Sequence, residues 1–139
     1  GDPASAVPHF TRALELNPQF YDAYANRAMA YNAIGESEQA IQDFHRAIEV
    51  SPGDPRNHIL FHGMGVALQQ LKRYREAIAS HDEAIRLAPP TAPQRSEYFL
   101  KRSLAWWGLG DRAQALRDAE NAERAGGKIP PVYARMLAR

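Results

Sequence analysis

The sequence predicts an all-α protein of the solenoid kind, antiparallel helical hairpins stacked side by side, and three observations carry that prediction. First, the unit alanine, four residues, proline recurs at Ala13 with Pro18, Ala47 with Pro52 and Ala84 with Pro89, with a degenerate copy at Ala122 with Gly127. The four alanines stand 34, 37 and 38 residues apart, and a period near 34 marks stacked helix pairs rather than one closed globule. Second, segments with helical spacing alternate with short breaks, and nothing reads as a strand, since β-branched residues are few and never alternate with polar ones over a useful length. Third, the breaks fall at Pro18, Gly35, Pro52 with Gly53, Gly110, and the Gly126, Gly127, Pro130 cluster. Glycine suits the left-handed residue after a helix, and proline cannot continue one.

Taken in order, these signals place helices near 5–16, 20–34, 37–50, 54–71, 74–88, 92–109 and 112–125, with a short one from about 130. The first helix must accommodate Pro8, which sits in the first turn if Ser5 is the cap; a cap at Asp2 would put it deeper, where it deletes a helix hydrogen bond. Ser5 is therefore the expected cap. The second, third and fifth helices are bounded by Pro18 and Gly35, by Pro52, and by Pro89. For the fourth, Asp54 precedes Pro55, a proline suited to the first helical position because its missing N–H would be unpaired there. Thr91 and Pro93 give the sixth similar start chemistry. Asp111 and Gln114 have the spacing of a capping box for the seventh. Two junctions exceed a 34-residue repeat by three and four residues, around 52–57 and 90–95. Each excess is about one helical turn, and the start chemistry predicts that the following helices begin a turn early; the alternative is a functional lip on the groove.

Composition narrows the function. The chain has 139 residues, 45% of them hydrophobic, a formal net charge of +1 and no cysteine. Balanced charge gives no electrostatic footprint for nucleic acid or an anionic membrane. Absent cysteine excludes disulfides and thiolate metal sites and leaves the compartment open, the cytoplasm being slightly favoured. No apolar run approaches the roughly 20 residues needed to cross a bilayer, so membrane insertion is not expected.

The residues resemble tetratricopeptide repeats. In that family each hairpin follows an aromatic, two residues, Leu, Gly, two residues, Tyr on its first helix, then Ala, three residues, Phe, two residues, Ala on its second, then Pro. Residues 21–54 follow with Tyr24, Arg27, Ala28, Tyr31, Ala40, Phe44, Ala47 and Pro52. Residues 58–91 give Phe61, Met64, Gly65, Leu68, Ala77, His81, Ala84 and Pro89, and residues 96–129 give Phe99, Arg102, Ser103, Trp106, Ala115, Ala119, Ala122 and Gly127. The resemblance implies a right-handed superhelix with three complete hairpins. Residues 1–20, with Phe10, are the second helix of an incomplete repeat, and residues 130–139 a terminal or capping helix. Tyr24, Tyr31, Phe44, Gly65 and Trp106 take packing positions, and a bulky change such as Gly65→Leu is expected to overpack.

Arg27 and Arg102 stand where the family places leucine, and each has an aspartate 16 residues later, Asp43 and Asp118. The middle repeat has Met64 and Ser80 instead, so arginine and aspartate occur together or not at all, as an ion pair joining two helices requires. His58 and His62 have the i, i+4 spacing of two metal ligands on one face. No third ligand has recognisable spacing, and no metal or other cofactor is assigned. His81, at the usual phenylalanine position, is read as a packed or partly exposed ring. No Gly-rich phosphate loop, nucleophile elbow or paired-carboxylate motif is present, so the chain is read as non-catalytic.

By resemblance to members that hold extended peptides, the binding surface is the inner face of the first helices. In this chain it carries Asp22, Asn26, Met29 and Asn32, then Ile59, His62, Val66, Gln69 and Gln70, then Glu97, Lys101, Leu104 and Trp107. The amides offer hydrogen bonds to a peptide backbone, and Trp107 is the anchor candidate; the alternative for Trp107 is burial under the next repeat or terminal helix. Co-chaperone members grip a C-terminal carboxylate with lysines, asparagines and an arginine. At those positions this chain offers Ala25, Met29, Gly63, Glu97 and Lys101, of which only Lys101 is suitable, so chaperone tails are not the expected ligand. The expected role is a scaffold or adaptor whose concave groove binds a peptide or partner helix. The rival is a spacer or homo-oligomerisation unit associating through an exposed N-terminal edge around Phe10.

Overall fold

The computed structural model describes all residues 1–139 and contains eight helices. They are α1 (Pro3–Leu16), α2 (Tyr21–Ala33), α3 (Ser37–Val50), α4 (Asn57–Gln70), α5 (Tyr74–Leu87), α6 (Arg95–Leu109), α7 (Arg112–Arg124) and α8 (Pro131–Ala138). Helices α2 with α3, α4 with α5 and α6 with α7 form hairpins, and each second helix also packs on the first helix of the next hairpin. Direct α2–α4 and α4–α6 contacts line the first helices up in one layer, with α1, α3, α5 and α7 in the other. The architecture is an α-solenoid.

Small residues make this stacking possible. Ala28, Ala40, Ala47, Ala67, Ala77, Ala84, Ala105 and Ala115 are all at 0% exposure, which lets helix axes approach to about 8–10 Å. Tyr24, Tyr31 and Trp106 pack partly buried against the main core, and Phe44 is fully buried within it. Gly65 shows how tight the fit is: a Cβ there would lie 2.6–2.8 Å from the His81 ring, itself completely buried. Gly65→Ala is therefore expected to destabilise by about 1–3 kcal/mol through overpacking, measured as a lowered urea midpoint; an unchanged midpoint would show that the His81 ring can move aside.

Three starts depart from the sequence expectations. The cap of α1 is Asp2, not Ser5: its carboxylate accepts from Ala4 N (3.2 Å) and from the Ser5 hydroxyl (2.8 Å). With Pro3 opening the helix, this extra turn carries the first helical N–H groups, and Pro8 falls in the helix interior, where it cannot donate to the Ala4 carbonyl. Helices α4 and α6 do not begin early. Residues 54–56 and 92–94 are tight turns closed by Asn57 N to Asp54 O (3.0 Å) and Arg95 N to Ala92 O (3.1 Å). The cause is an anchor at the first residue of each helix. The buried Asn57 amide donates to Ser51 O (2.8 Å) and Pro52 O (3.2 Å), and Arg95 donates to Ile85 O (2.8 Å) and Ala88 O (3.3 Å). Each ties the helix start to orphan carbonyls at the end of the preceding helix, so the extra residues fold ahead of it. The Asp111 cap does form, its carboxylate accepting from Gln114 N at 3.0 Å.

The α4–α5 turn contains the single non-glycine residue with a left-handed backbone, Lys72 at φ 59°. Gly35 and Gly110 take the corresponding place in the flanking hairpins, with φ of 80° and 92°. A left-handed conformation costs a residue with a Cβ about 1–2 kcal/mol, partly offset by glycine's greater unfolded-state entropy. Lys72→Gly is expected to stabilise the chain by about 1 kcal/mol, seen as a rise of a few degrees in the melting midpoint.

Candidate binding faces

The inner layer of α2, α4 and α6 presents the expected groove residues, and the structure separates those still available to a ligand from those already engaged. Between α2 and the start of α4 lies a cleft of about 100 Å³ lined by Tyr21, Asp22, Ala25, Asn26, Met29, Arg56, Ile59 and Leu60. Ala25 and Leu60 are buried, Met29 is 42% exposed, and Asn26 is exposed with its amide free of internal hydrogen bonds. Arg56 closes one end: it pairs with Asp54 and Asp22, both at 2.8 Å, and lies over the Tyr21 ring, 4.6 Å from its centroid.

The other amides are used internally. Asn32 donates to Gly63 O at 2.9 Å, Gln70 accepts from the Ser37 hydroxyl at 2.6 Å, and Gln69 meets His81 Nε2 at 2.6 Å. Asn32, Gln69 and Gln70 thus hold neighbouring elements together, whereas Asn26 offers both its donor and its acceptor outward. Lys101 is half-buried and faces Glu97 one turn away, at 3.7 Å. Ala25 is buried, and a Cβ on Gly63 would run into the Phe44 ring, so the carboxylate-gripping positions bring no cluster of cations together.

His58 and His62 both pack on the Tyr98 ring of α6, with centroids 5.8 and 4.6 Å away. His58 Nδ1 meets the Tyr98 hydroxyl at 2.8 Å, while His62 Nδ1 meets His81 Nδ1 at 3.3 Å. The hydrogen bonds of the i, i+4 pair are divided between α6 and α5, and no group of three or more His, Cys, Asp or Glu converges. With the Gln69 oxygen against it, His81 Nε2 carries the proton, its Nδ1 accepts, and His62 Nδ1 donates. Burial, with Lys101 adding to it, pushes His62 down to about 4. Burial, then the charges of His62, Arg102 and Lys101, pushes His81 down to about 3. Both rings are neutral near pH 7. His62, expected in the groove, is half-buried between Tyr98 and His81, a placement that no sequence spacing announces.

Trp107 follows the alternative left open for it. It is partly buried and makes an edge-to-face contact with Tyr133 of α8, centroids 6.2 Å apart, and belongs to the apolar cluster that α8 closes. Tyr133 is fixed by its hydroxyl on Ser103 Oγ (2.7 Å), which in turn donates to Ala115 O (2.6 Å). At the other end α1 lies along α2. Phe10 is half-buried rather than exposed, because it shares a helix face with the buried Leu14 one turn on. The apolar exposure there is carried by Leu16 (71%) and Phe20 (40%).

The two arginine–aspartate pairs span three helices each. Arg27 reaches Asp43 with Nε and Nη2 at 2.6 and 2.8 Å and Thr11 of α1 with Nη1 at 3.1 Å. Arg102 does the same with Asp118 at 2.6 and 2.7 Å and Asp82 of α5 at 2.7 Å. No helix of the chain is long and apolar enough to cross a membrane.

Comparison with known proteins agrees with this architecture. Family models described as tetratricopeptide repeat match residues 21–54 and 60–91. The chain is 31% identical over 104 residues to small glutamine-rich tetratricopeptide repeat-containing protein 2 of Mycosarcoma maydis, covering 75% of the chain and 27% of that protein. It is 30% identical over 119 residues to the STIP1 homolog of Dictyostelium discoideum, covering 86% and 20%. The chain thus spans about a quarter or less of the length of these relatives. Among solved structures, MamA from Desulfovibrio magneticus RS-1 superposes with a TM-score of 0.79 at 18% identity, over 91% of this chain and 67% of that one. PilF of Pseudomonas aeruginosa superposes at 0.76 with 27% identity, over 90% and 54%. With the repeat matched in sequence over two successive hairpins and the same helical stack running through the whole chain, the protein is a member of the tetratricopeptide-repeat family.

Proposed function

We propose that the chain is a non-catalytic adaptor module that holds a peptide or helix of a partner protein in its concave face, with the α2–α4 cleft as the principal contact. Repeats of this family are generally protein-interaction modules, and the observation that directs the reading to this cleft is its lining. An apolar floor of Ala25, Met29, Ile59 and Leu60 lies beside an outward, unengaged Asn26 amide. Such a site takes an apolar side chain while the amide bonds the partner's backbone. Relatives that include the STIP1 homolog and an Hsp70-Hsp90 organizing protein are consistent with a partner-holding role. Their proteins' partners do not transfer as a carboxylate grip, for want of cations beyond Lys101.

The test is a cross-linking pull-down from lysate with the native chain and with Asn26→Ala/Met29→Arg, whose two positions are exposed and whose folding is checked by circular dichroism. A partner held by the native chain and lost by the variant is the expected result; equal recovery would remove the cleft from the mechanism. Exposed Leu16 and Phe20 favour a second reading, self-association at the N-terminal edge. It requires a concentration-dependent mass that Leu16→Asp abolishes.

A further inference from the structure

The three hairpins fill equivalent space on the outer face in different ways. Counting along the repeat register, Arg27, Met64 and Arg102 are equivalent, as are Tyr31, Leu68 and Trp106, and Asp43, Ser80 and Asp118. Thr11, His45 and Asp82 are the matching positions on the preceding second helix. In the flanking hairpins the arginine fills the space between successive second helices, and an aromatic ring lies one turn further on. Tyr31 and Trp106 are partly buried against the core, with the Arg27 guanidinium 5.9 Å from the Tyr31 ring. The middle hairpin has given up the guanidinium, the aromatic ring and the carboxylate together. What remains is a cleft of about 220 Å³ between α3 and α5, floored by α4. Its lining is Ile41, Met64, Leu68 and Ala79, with His45, Ser80, Arg73 and Glu76 around it.

Two features say what belongs there. Arg73 and Glu76 neutralise each other at 2.7 Å, and Ser80 stands where the flanking hairpins have a carboxylate, so a cation has no free counter-ion in the cleft. Ser80 is also nine-tenths buried, at 9% exposure, yet makes no hydrogen bond within the chain. The hydroxyl itself is reached by solvent, so it stands free to bond an occupant at the wall of a largely apolar cleft in which Leu68 is smaller than Tyr31 and Trp106, its counterparts in the flanking hairpins.

We propose that this outer cleft is a second binding site, separate from the concave groove, which receives one aromatic side chain carrying a polar handle, a tyrosine or tryptophan of a partner protein. The ring takes the room that Tyr31 and Trp106 take in the flanking hairpins, over Met64 and Leu68, and its O–H or N–H meets the Ser80 hydroxyl. Aromatic side chains with such a handle suit a pocket that is dry at one end and polar at the other. The site makes the chain able to engage a partner on both faces at once.

The test uses indole as the probe, titrated into the isotopically labelled chain and followed by NMR, with ethylguanidinium as the comparison ligand. Expected are saturable shifts at Ile41, His45, Leu68 and Ser80 in the millimolar range that so small an apolar ligand reaches, and cross-peaks from indole to the Met64 and Leu68 methyl groups. Two variants refill the cleft as its neighbours do: Leu68→Tyr, and Met64→Arg with Ser80→Asp. Either is expected to weaken indole binding about tenfold or more, while Asn26→Ala/Met29→Arg leaves it unchanged, so failure of the concave site and of this one are told apart. The proposal is overturned if indole shifts only the α2–α4 cleft, if neither folded refilled variant weakens it, or if ethylguanidinium occupies the cleft in its place.

Discussion

Asp43→Ala is expected to destabilise the chain by about 3–5 kcal/mol, a fall of about 10 °C or more in the melting midpoint. Asp43 is nearly buried, with 6% of its side chain exposed, and its partner Arg27 keeps only 19% exposure. Removing the carboxylate leaves a mostly buried guanidinium whose one remaining side-chain partner is the Thr11 hydroxyl, and an uncompensated buried charge costs far more than the net worth of the pair. Asp118→Ala is the milder change, because Arg102 keeps a second carboxylate, Asp82, at 2.7 Å. The difference between the two variants measures how far that second acid substitutes for the first. The middle hairpin shows the repair. Met64 and Ser80 hold the same positions without charge, and Arg27→Met with Asp43→Ser is expected to recover most of the loss. A double-mutant cycle that gives no coupling between Arg27 and Asp43 would mean the guanidinium finds water in the folded chain.

What the sequence made legible follows from how the information is written. Helix pairing shows in the recurrence of alanine and proline, because only small residues survive where axes approach closely, and Ala28, Ala40 and Ala47 are fully buried where the repeat requires them. The ion pairs show as co-occurrence, since Met64 and Ser80 lack both charges while the other hairpins carry both. Helix starts were less legible. Asp54 with Pro55 and Thr91 with Pro93 are good start chemistry, but the actual start is fixed by Asn57 and Arg95 reaching back to carbonyls of the preceding helix, a tertiary contact with no local signature. The groove divided in the same way. Asn26, Asn32, Gln69 and Gln70 are all amides at plausible inner positions, yet three of the four bond within the chain. Side-chain type does not say which partner across the solenoid claims it. Trp107 could be resolved only by the position of α8, where Ser103 fixes the Tyr133 ring against which the indole packs.

Acidification from pH 7 to 4 is expected to withdraw about 3 kcal/mol or more of stability through His62 and His81 alone. The sign follows from proton counts. Folded, the two rings titrate near about 4 and about 3; unfolded, both return to the ordinary histidine value near 6.5. Between those limits the unfolded chain binds more protons, so stability is complete above about pH 6.5 and declines as pH falls toward the folded values. Ordinary carboxylates titrate near pH 4, which makes the upper part of this window a histidine signal. The contributions of the two rings do not add, because protonating either places a cation 3.3 Å from the other ring nitrogen, beside Lys101 and Arg102 of α6. His81→Phe separates the effect from general acid sensitivity. Phe44 holds the equivalent position in the preceding hairpin and is fully buried, so the ring fits the repeat. The variant loses the Gln69 and His62 hydrogen bonds but also a titrating group. The urea midpoint of the native chain is expected to fall steeply between pH 6.5 and 4.5, and that of His81→Phe much less. Equal slopes would mean that the buried pair is not what the acid attacks, and that the chain opens elsewhere before the histidines are protonated.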